Sequence, residues 1–533
     1  MKKLIPFLIF FLPIIKTNVF SQQVLWWFDT NDSSFGQSSA GDINRDGYLD
    51  VVFGCYRNDS CVYALSGLDG QLLWKFNTAT NNAEGCNDVA TLIYDIDGDT
   101  YPEVFVPSSC NPTTFCFNGK DGTVRWAAPT RGSDSPPTIG DIDGDGELEI
   151  LHGQFWDYLI CFDAKTGKRK WEIQVQPRTW IQTAPTLVDL DGDSILDFVV
   201  ATWCLNKGDT NRIYAYRGYD QKLLWKKDLG GTAYHGTSVT EINGDGIPDL
   251  VIGDYSGTLY ALNGENGETI WKYTNPIFYY IGSPVAIGDL DGDGICEIVF
   301  TSAFLVTALR IDGTEFWSYQ VPKGNPSFRG VALADLNGDK MLDVAFATNS
   351  GQVYVLNGGG GKVLATFDLS QHIGKSFDID HAPLIADFNE DGLMDIFVVG
   401  GKTDYPDFSK NYGRAYLLSV GNGFGPNWLM FQQNVRRTGS ICAKPNSIKE
   451  NQLLFNISPN PASDYIDIDI NIPSENFKLS EIEFVKIYNT LGECVMAVEI
   501  KNFSSPQRIN ISRLLAGVYL VRICKETALF IKM

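Results

Sequence analysis

Asp141-Ile142-Asp143-Gly144-Asp145-Gly146-Glu147-Leu148-Glu149 decides how this chain is read. Carboxylates stand at positions 1, 3, 5 and 9, and Gly146 stands at position 6. Alternating side chains on a tight loop converge on one point, and a hard cation such as Ca²⁺ takes several oxygens at once. Glycine at position 6 permits the sharp turn. Position 7 then offers a backbone carbonyl, and position 9 closes the site. The loop is shorter than an EF-hand, whose closing Glu stands at position 12. It runs into Ile150-Leu151, an apolar β-type stretch, and not into a helix.

Eight such loops begin at intervals of 46 to 53 residues. The expected ligands are Asp42, Asn44, Asp46, Tyr48 and Asp50; Asp95, Asp97, Asp99, Tyr101 and Glu103; Asp141, Asp143, Asp145, Glu147 and Glu149; and Asp189, Asp191, Asp193, Ile195 and Asp197. The other four sets are Glu241, Asn243, Asp245, Ile247 and Asp249; Asp289, Asp291, Asp293, Ile295 and Glu297; Asp335, Asn337, Asp339, Met341 and Asp343; and Asp387, Asn389, Asp391, Leu393 and Asp395. The position-7 residue contributes its carbonyl in each set. About eight Ca²⁺ are expected. Such regular recurrence is the mark of a repeat architecture.

One unit reads as four strands within residues 135–173: Ser135–Ile139, Leu148–His152, Tyr158–Phe162 and Lys168–Ile173. Short runs rich in Val, Ile, Tyr and Trp, punctuated by Gly and Asp, are strand signals. Four strands in a unit of about 40–50 residues is the size of a propeller blade. The third and fourth strands recur: Val62-Tyr-Ala-Leu65 leads to Trp74, Ile213-Tyr-Ala-Tyr216 to Trp225, and Leu259-Tyr-Ala-Leu262 to Trp271. Trp126 and Trp317 hold the same place, and Phe367 is read as its replacement in the seventh unit. These aromatics are expected between blades, where each buries a large apolar area. The eighth unit lacks a fourth strand of its own, and Val24-Leu-Trp26-Trp-Phe28 matches Leu72-Leu-Trp74-Lys-Phe76. The expectation is an all-β chain: an eight-bladed β-propeller closed by its N-terminal strand, with seven blades as the alternative, then a small Ig-like β-sandwich.

The chain has 533 residues and a net charge of −22. Four loops carry four carboxylates at positions 1, 3, 5 and 9 and four carry three, 28 in all. Much of the acidity is therefore site, and it argues against nucleic-acid binding, which needs a basic footprint. Lys2-Lys3, an apolar run from Leu4 to Ile15 and Val19-Phe20-Ser21 read as a signal peptide over 1–21. No stretch is long enough to be a transmembrane segment. Eleven cysteines in an exported chain suggest disulfides. Cys55 with Cys61 and Cys110 with Cys116 share one spacing and are expected to staple two hairpin loops. The propeller is placed at 22–440, with residues from Trp428 to Gly439 tucked against the ring, and a polar linker at 441–452. From 453 the pattern changes, and Tyr465 to Ile472 alternates strictly, as a half-buried strand does.

The acidic loops, with following strands such as Ile247-Pro-Asp-Leu-Val-Ile-Gly253, resemble the FG-GAP or VCBS repeats of integrin-α-type propellers over residues 24–420. That resemblance implies calcium loops joining first and second strands on one face. The Tyr and Trp strands also resemble pyrroloquinoline-quinone-type propeller repeats. Ser458-Pro-Asn-Pro461, Ile487-Tyr-Asn-Thr-Leu-Gly492, Leu515-Ala-Gly-Val-Tyr-Leu520 and Phe530-Ile-Lys-Met533 resemble the type IX secretion sorting domain of Bacteroidetes. This implies partnership with the type IX machinery, then release or attachment at the outer-membrane surface.

No GxSxG, HExxH or phosphate-cradling loop appears, and only four histidines exist. A ligand site is expected opposite the calcium face, where Trp156, Trp180, Trp203, Tyr234, Tyr255, Phe278, Tyr279 and Tyr280 gather. Counting back six from each loop's first ligand gives Gly36, Val89, Ser135, Thr183, His235, Ser283, Arg329 and His381 as a ring at the channel mouth. Exposed aromatics with a few polar groups suit an extracellular glycan or protein partner. Two functions stand: a surface binding or adhesion propeller, and a secreted carbohydrate-active enzyme such as a polysaccharide lyase. A cluster of Arg, Lys or His with acids around the channel would favour the second.

Overall fold

The apolar run after each acidic loop becomes the second strand of a four-stranded antiparallel sheet, and eight such sheets form the ring. A computed structural model describes residues 23–442, apart from 80–83, 278, 405 and 422, and the C-terminal stretches 454–458, 462–471, 484–489, 494–499, 507–514, 517–523 and 526–532. The expected signal segment and most of the expected linker lie outside the described residues. The chain divides into two units, Met1–Lys444 and Pro445–Met533.

Blade 3 shows the plan: Thr138–Gly140 innermost, then Glu149–Gly153, Tyr158–Asp163 and Arg169–Gln174 at the rim. The first seven blades follow in chain order, and blade 8 is composite. Its strands Leu384–Ala386, Met394–Lys402 and Tyr412–Gly421 are completed by Gln23–Thr30. Trp27 lies opposite Tyr416 in that antiparallel seam, and Arg414 donates to Asp29 across it. Closure by the first strand leaves no open sheet at the ring's seam.

The recurrent tryptophans sit between blades. The indole Nε1 of Trp26 donates to Gly67 O at 2.8 Å, that of Trp126 to Ala164 O at 2.9 Å, and that of Trp225 to Gly264 O at 2.7 Å, each in the next blade's outer turn. Gly70, Gly167 and Gly267 in those turns have positive φ, and a Cβ there would stand 2.5–2.6 Å from the ring. In the seventh blade the tryptophan position is held by Ala365, which pairs with Val355 as Trp74 pairs with Ala64. Phe367 lies two residues further on, so it is not the replacement that the sequence suggested.

The tail after blade 8 lies along the inner strands of the ring and winds once round the axis. Gly425 O accepts from Asp335 N in blade 7, Trp428 exchanges two bonds with Ile385 in blade 8, and Leu429 O accepts from Ala40 N in blade 1. Val435, Arg436, Thr438 and Gly439 accept in turn from Ile139, Leu187, Val239 and Ile287 of blades 3 to 6. Arg437 reaches Thr91 O of blade 2 and Pro137 O of blade 3. The belt therefore satisfies inner-strand N–H groups that would otherwise face the channel unpaired. Its end is bonded covalently to blade 6 through Cys296–Cys442.

The cysteine pairing differs from expectation. Cys86 bonds to Cys110, while Cys55, Cys61 and Cys116 are free thiols. Cys116 lies inside a strand opposite Phe105 and Trp126, packed in an apolar layer, so it cannot turn back to Cys110 in the loop before it. Cys110 instead meets the segment entering its own blade. Cys55 and Cys61 flank a hairpin, but the Cys61 thiol donates to Asp59 O.

The second unit holds two antiparallel sheets. One runs Leu454–Ser458, Tyr465–Asn471, Gln507–Asn510, and the other Cys494–Glu499, Phe484–Asn489, Gly517–Ile523, Glu526–Lys532. Ile466, Ile468 and Ile509 of the first share a core with Val485, Ile487 and Val521 of the second. Among the described residues no helix is long and apolar enough to cross a membrane.

Candidate functional site

Each acidic loop organises itself through its backbone. In blade 3, Asp141 accepts from Gly144 N and Gly146 N at 2.8 and 3.0 Å, and Asp145 Oδ1 accepts from Glu147 N. Glu149 Oε2 accepts from Ile142 N at 2.8 Å. The position-9 carboxylate makes this last bond in all eight loops, from Asp50 with Ile43 N to Asp395 with Phe388 N. One oxygen is thus held by the loop's own backbone; the other is free to meet a further partner, which for Asp197 and Asp249 includes the N–H of Gly218 and of Gly264. In blades 2, 3, 4 and 6, three acids per loop bring ligand atoms within 4.8 Å of one another.

The acidic loops as a set fit a cation, either a divalent ion or a basic side chain of the same blade. The position-9 side chains are buried, and the Oδ1 atoms of Asp50 and Asp395 have no hydrogen-bond partner. Burial, with the neighbouring loop carboxylates adding to it, pushes Asp50, Asp197 and Asp343 up to about 7, Asp249 to about 6 and Asp395 to about 8. Burial of that kind favours a cation close to the carboxylate. The residues that would hold the ion are those at positions 1, 3, 5 and 9, with the position-7 carbonyl.

On the opposite face a cleft opens at the channel mouth. Phe431 of the belt is part of its wall, with Gly36, Val89, His235, Arg329 and His381 from the ring counted in the sequence. Ser135, Thr183 and Ser283 do other work. Their hydroxyls donate to a carbonyl and accept a backbone N–H: Ser135 with Thr183 O and Gly153 N, Thr183 with Ala201, Ser283 with Thr301. His381 is held similarly, with Nε2 against Val399 and Nδ1 against Ala382 O. These four residues fasten the inner segment to the second strand or to the next blade.

The chemistry sits one residue earlier. Counting back seven gives Phe35, Asp88, Asp134, Gln182, Tyr234, Gly282, Phe328 and Asp380, and Phe35, Asp88, Asp134, Tyr234 and Asp380 line the cleft. Sequence reasoning named Tyr234 but missed the other four, because one step along an extended segment reverses the side a residue faces. Three aspartates at equivalent places were the available signal.

Ser109 donates to Asp88 at 2.6 Å, on the segment braced by Cys86–Cys110. Gln182 donates to Asp134 Oδ2 at 2.9 Å, while Oδ1 is buried without a partner. Burial and then the charge of Asp88 push Asp134 up to about 8; burial also raises Asp88. Burial works against the Arg329 charge, but Tyr234 and Asp380 outweigh it and hold the guanidinium protonated. That guanidinium lies 4.9 Å from the centre of the Tyr234 ring. Burial, then Arg329, drives His235 well below its ordinary value, so it is neutral. His152, by contrast, is a core residue bonded to Thr114.

Aromatic rings lead to this cleft. Trp203 packs on Tyr234 at 5.6 Å and on Tyr255 at 5.7 Å, Tyr255 on Tyr280 at 4.6 Å, and Tyr280 stacks on Phe328 at 5.0 Å. Trp180 and Trp203 pair in a small ribbon, and Trp180 packs on Phe155. Trp156 is 59 % exposed and Tyr279 is 41 % exposed. Phe278 lies outside the described residues.

A profile described as an FG-GAP-like repeat matches residues 95–152, 241–300 and 335–398, and one described as a secretion system C-terminal sorting domain matches 456–532. The rhamnogalacturonan endolyase YesW of Bacillus subtilis (strain 168) is 26 % identical over 261 residues, covering 44 % of this chain and 37 % of that protein. The rhamnogalacturonan exolyase YesX of the same organism is 26 % identical over 275 residues, covering 44 % and 42 %. The chain thus spans less than half the length of these relatives. Among solved structures, the V. cholerae biofilm matrix protein Bap1 aligns with a TM-score of 0.52 at 15 % identity, covering 79 % of this chain and 96 % of that one. A europium-containing methanol dehydrogenase aligns with a TM-score of 0.52 at 13 % identity, covering 75 % and 93 %. These two likenesses show the fold alone.

Proposed function

For a chain that carries FG-GAP-like repeats in an eight-bladed propeller and a secretion sorting domain, we propose the role of a secreted, calcium-stabilised surface propeller whose channel-mouth cleft binds a carbohydrate. The observation that carries this reading is the continuous run of aromatic rings from Trp203 through Tyr255 and Tyr280 to Phe328, ending beside a half-buried Arg329 and three aspartates. Sugar rings present apolar faces to aromatic side chains and hydroxyls to carboxylates and guanidinium. The sorting domain addresses the chain to the type IX machinery, and residues 22–440 are the working module. A glycan array probed with the full chain in calcium tests the reading. Binding that is lost in Trp203→Ala and Arg329→Gln supports it, and an array with no signal refutes it.

A second reading is favoured by one feature, the Asp88–Asp134 pair. Burial raises both carboxyls, and the charge of Asp88 adds to the rise of Asp134 to about 8, so Asp134 holds a proton at neutral pH beside a second carboxyl. Such a pair can serve as acid and base on a bound polysaccharide. The two relatives named as lyases lend support to an enzyme. Release of an unsaturated uronate from rhamnogalacturonan by the wild type, absent in Asp134→Asn, would favour this reading over simple binding.

A further inference from the structure

The eight acidic loops are of two kinds, and the difference lies at position 3. Blades 2, 3, 4 and 6 have Asp97, Asp143, Asp191 and Asp291 there; blades 1, 5, 7 and 8 have Asn44, Asn243, Asn337 and Asn389. Every loop of the first kind holds a basic side chain of its own blade. Lys170 Nζ lies 2.6 Å from Asp143 Oδ2, 3.0 Å from Asp145 Oδ2 and 2.8 Å from Glu149 Oε1. Arg310 holds Asp291 Oδ2 at 2.9 Å and Glu297 Oε1 at 2.7 Å. Arg125 holds Glu103 Oε1 at 2.6 Å and pairs with Asp97, and Arg217 holds Asp191 Oδ2 at 3.1 Å. In blade 3 these are the oxygens left over by the backbone, since Asp143 Oδ1, Asp145 Oδ1 and Glu149 Oε2 are the ones that accept N–H groups.

No loop of the second kind makes an ion pair among the described residues. Arg45 and Lys340 lie within two of them, but Arg45 donates to Thr100 O and neither pairs with an acid of its loop. The inward oxygens there meet only amides. Asn44 and Asn243 donate to Asp46 and Asp245, Asn337 to Asp343, and Asn389 to Asp391. Both position-9 oxygens found without any partner, in Asp50 and Asp395, belong to this kind. The cations arrive by two routes. Arg217 and Arg310 follow the third strand, whereas Arg125 and Lys170 precede the rim tryptophan. At both places the other blades carry Ser66 and Leu73, Asn263 and Ile270, Asn357 and Leu364, Ser419 and Leu25. A fourth carboxylate therefore accompanies a basic residue in all four cases, whichever strand supplies it.

From this division we infer that Arg125, Lys170, Arg217 and Arg310 are the resident cations of their loops, and that calcium is taken by the loops of blades 1, 5, 7 and 8. The inference rests on the calcium reading of the loops and divides it between them. A tethered ammonium or guanidinium is present at high effective concentration, whereas Ca²⁺ would have to displace it and then lie beside it.

Calcium titrated calorimetrically into the full chain after chelation, with elemental analysis of the dialysed chain alongside, gives the count. About four ions per chain are expected in the wild type and about five in Lys170→Met. The double variant Asn243→Asp with Ile270→Lys, which gives blade 5 the other kind of loop, should bind about three. Should Lys170→Met fail to fold, the wild-type count and the double variant decide. About eight ions in the wild type, or a count that falls in Lys170→Met, overturns the inference while leaving the calcium reading standing. No bound calcium in any form overturns both.

Discussion

Replacing Trp26 by alanine tests the seam of the ring. The side chain is 7 % exposed, donates to Gly67 O across to blade 1, and packs on Phe397 at 5.9 Å. Truncating a buried tryptophan costs about 3–5 kcal/mol, and the buried carbonyl left without a donor adds about 1–3 kcal/mol. The turn at Gly70 lies against the ring and carries no side chain to refill the space. The loss should be about 5 kcal/mol, which for a ring of this size lowers Tm by roughly 5–10 °C. Trp27 is the control. It is the next residue on the same strand, faces the other way, is 52 % exposed, and its ring meets His372 and Arg414. Trp27→Ala should cost about 1 kcal/mol or less. Thermal melts with hydrogen exchange over residues 23–30 read both the loss and its place. Equal losses for the two variants, or a loss in Trp26→Ala with unchanged exchange at the seam, would refute closure through this strand.

Chelation should lower Tm in the wild type, because the buried position-9 carboxylates of blades 1, 5, 7 and 8 then lack a counter-charge; a melt unchanged by chelator would count against the metal. Asp134 has a folded pKa near 8, raised above its unfolded value, so its contribution is present at low pH and lost as pH rises from about 4 to about 8. Asp134→Asn should therefore outlast the wild type in melts above pH 8 and lose that advantage at pH 4, and identical pH profiles would contradict the burial argument. Cys296→Ser should leave the blades intact but open residues 423–442 to protease, and a belt that stays protected would show its hydrogen bonds suffice alone. Removing residues 453–533 should leave the melt of the propeller unchanged while export fails; surface display of the truncated chain would reject the address role.

The acidic loops were legible because their ligands lie within nine residues of one another and recur. Ring closure was legible because Val24 to Phe28 repeats the pattern of Leu72 to Phe76. What escaped the sequence was mostly contact between distant residues. Cys296 pairs over 146 positions, and nothing periodic marks it. The belt from Gly425 to Ile441 bonds to residues throughout the ring and shows no strand alternation of its own, because its bonds pass from blade to blade and not along one partner strand. The cleft aspartates escaped by a single step of register. The seventh tryptophan position was assigned to Phe367 by its aromaticity, yet strand pairing gives it to Ala365.

The bond from Cys442 to Cys296 also governs how the ring bears tension. A pull on the chain beyond residue 442 reaches the belt at its last turn. Held by hydrogen bonds alone, the belt would peel from blades 6, 5, 4 and 3 one contact after another, each yielding at small force. The covalent link diverts the load into the loop that precedes Glu297–Ser302, the second strand of blade 6, which is bonded on both sides. Pulled from its C-terminal end, the ring must tear a sheet before its axis can unwind.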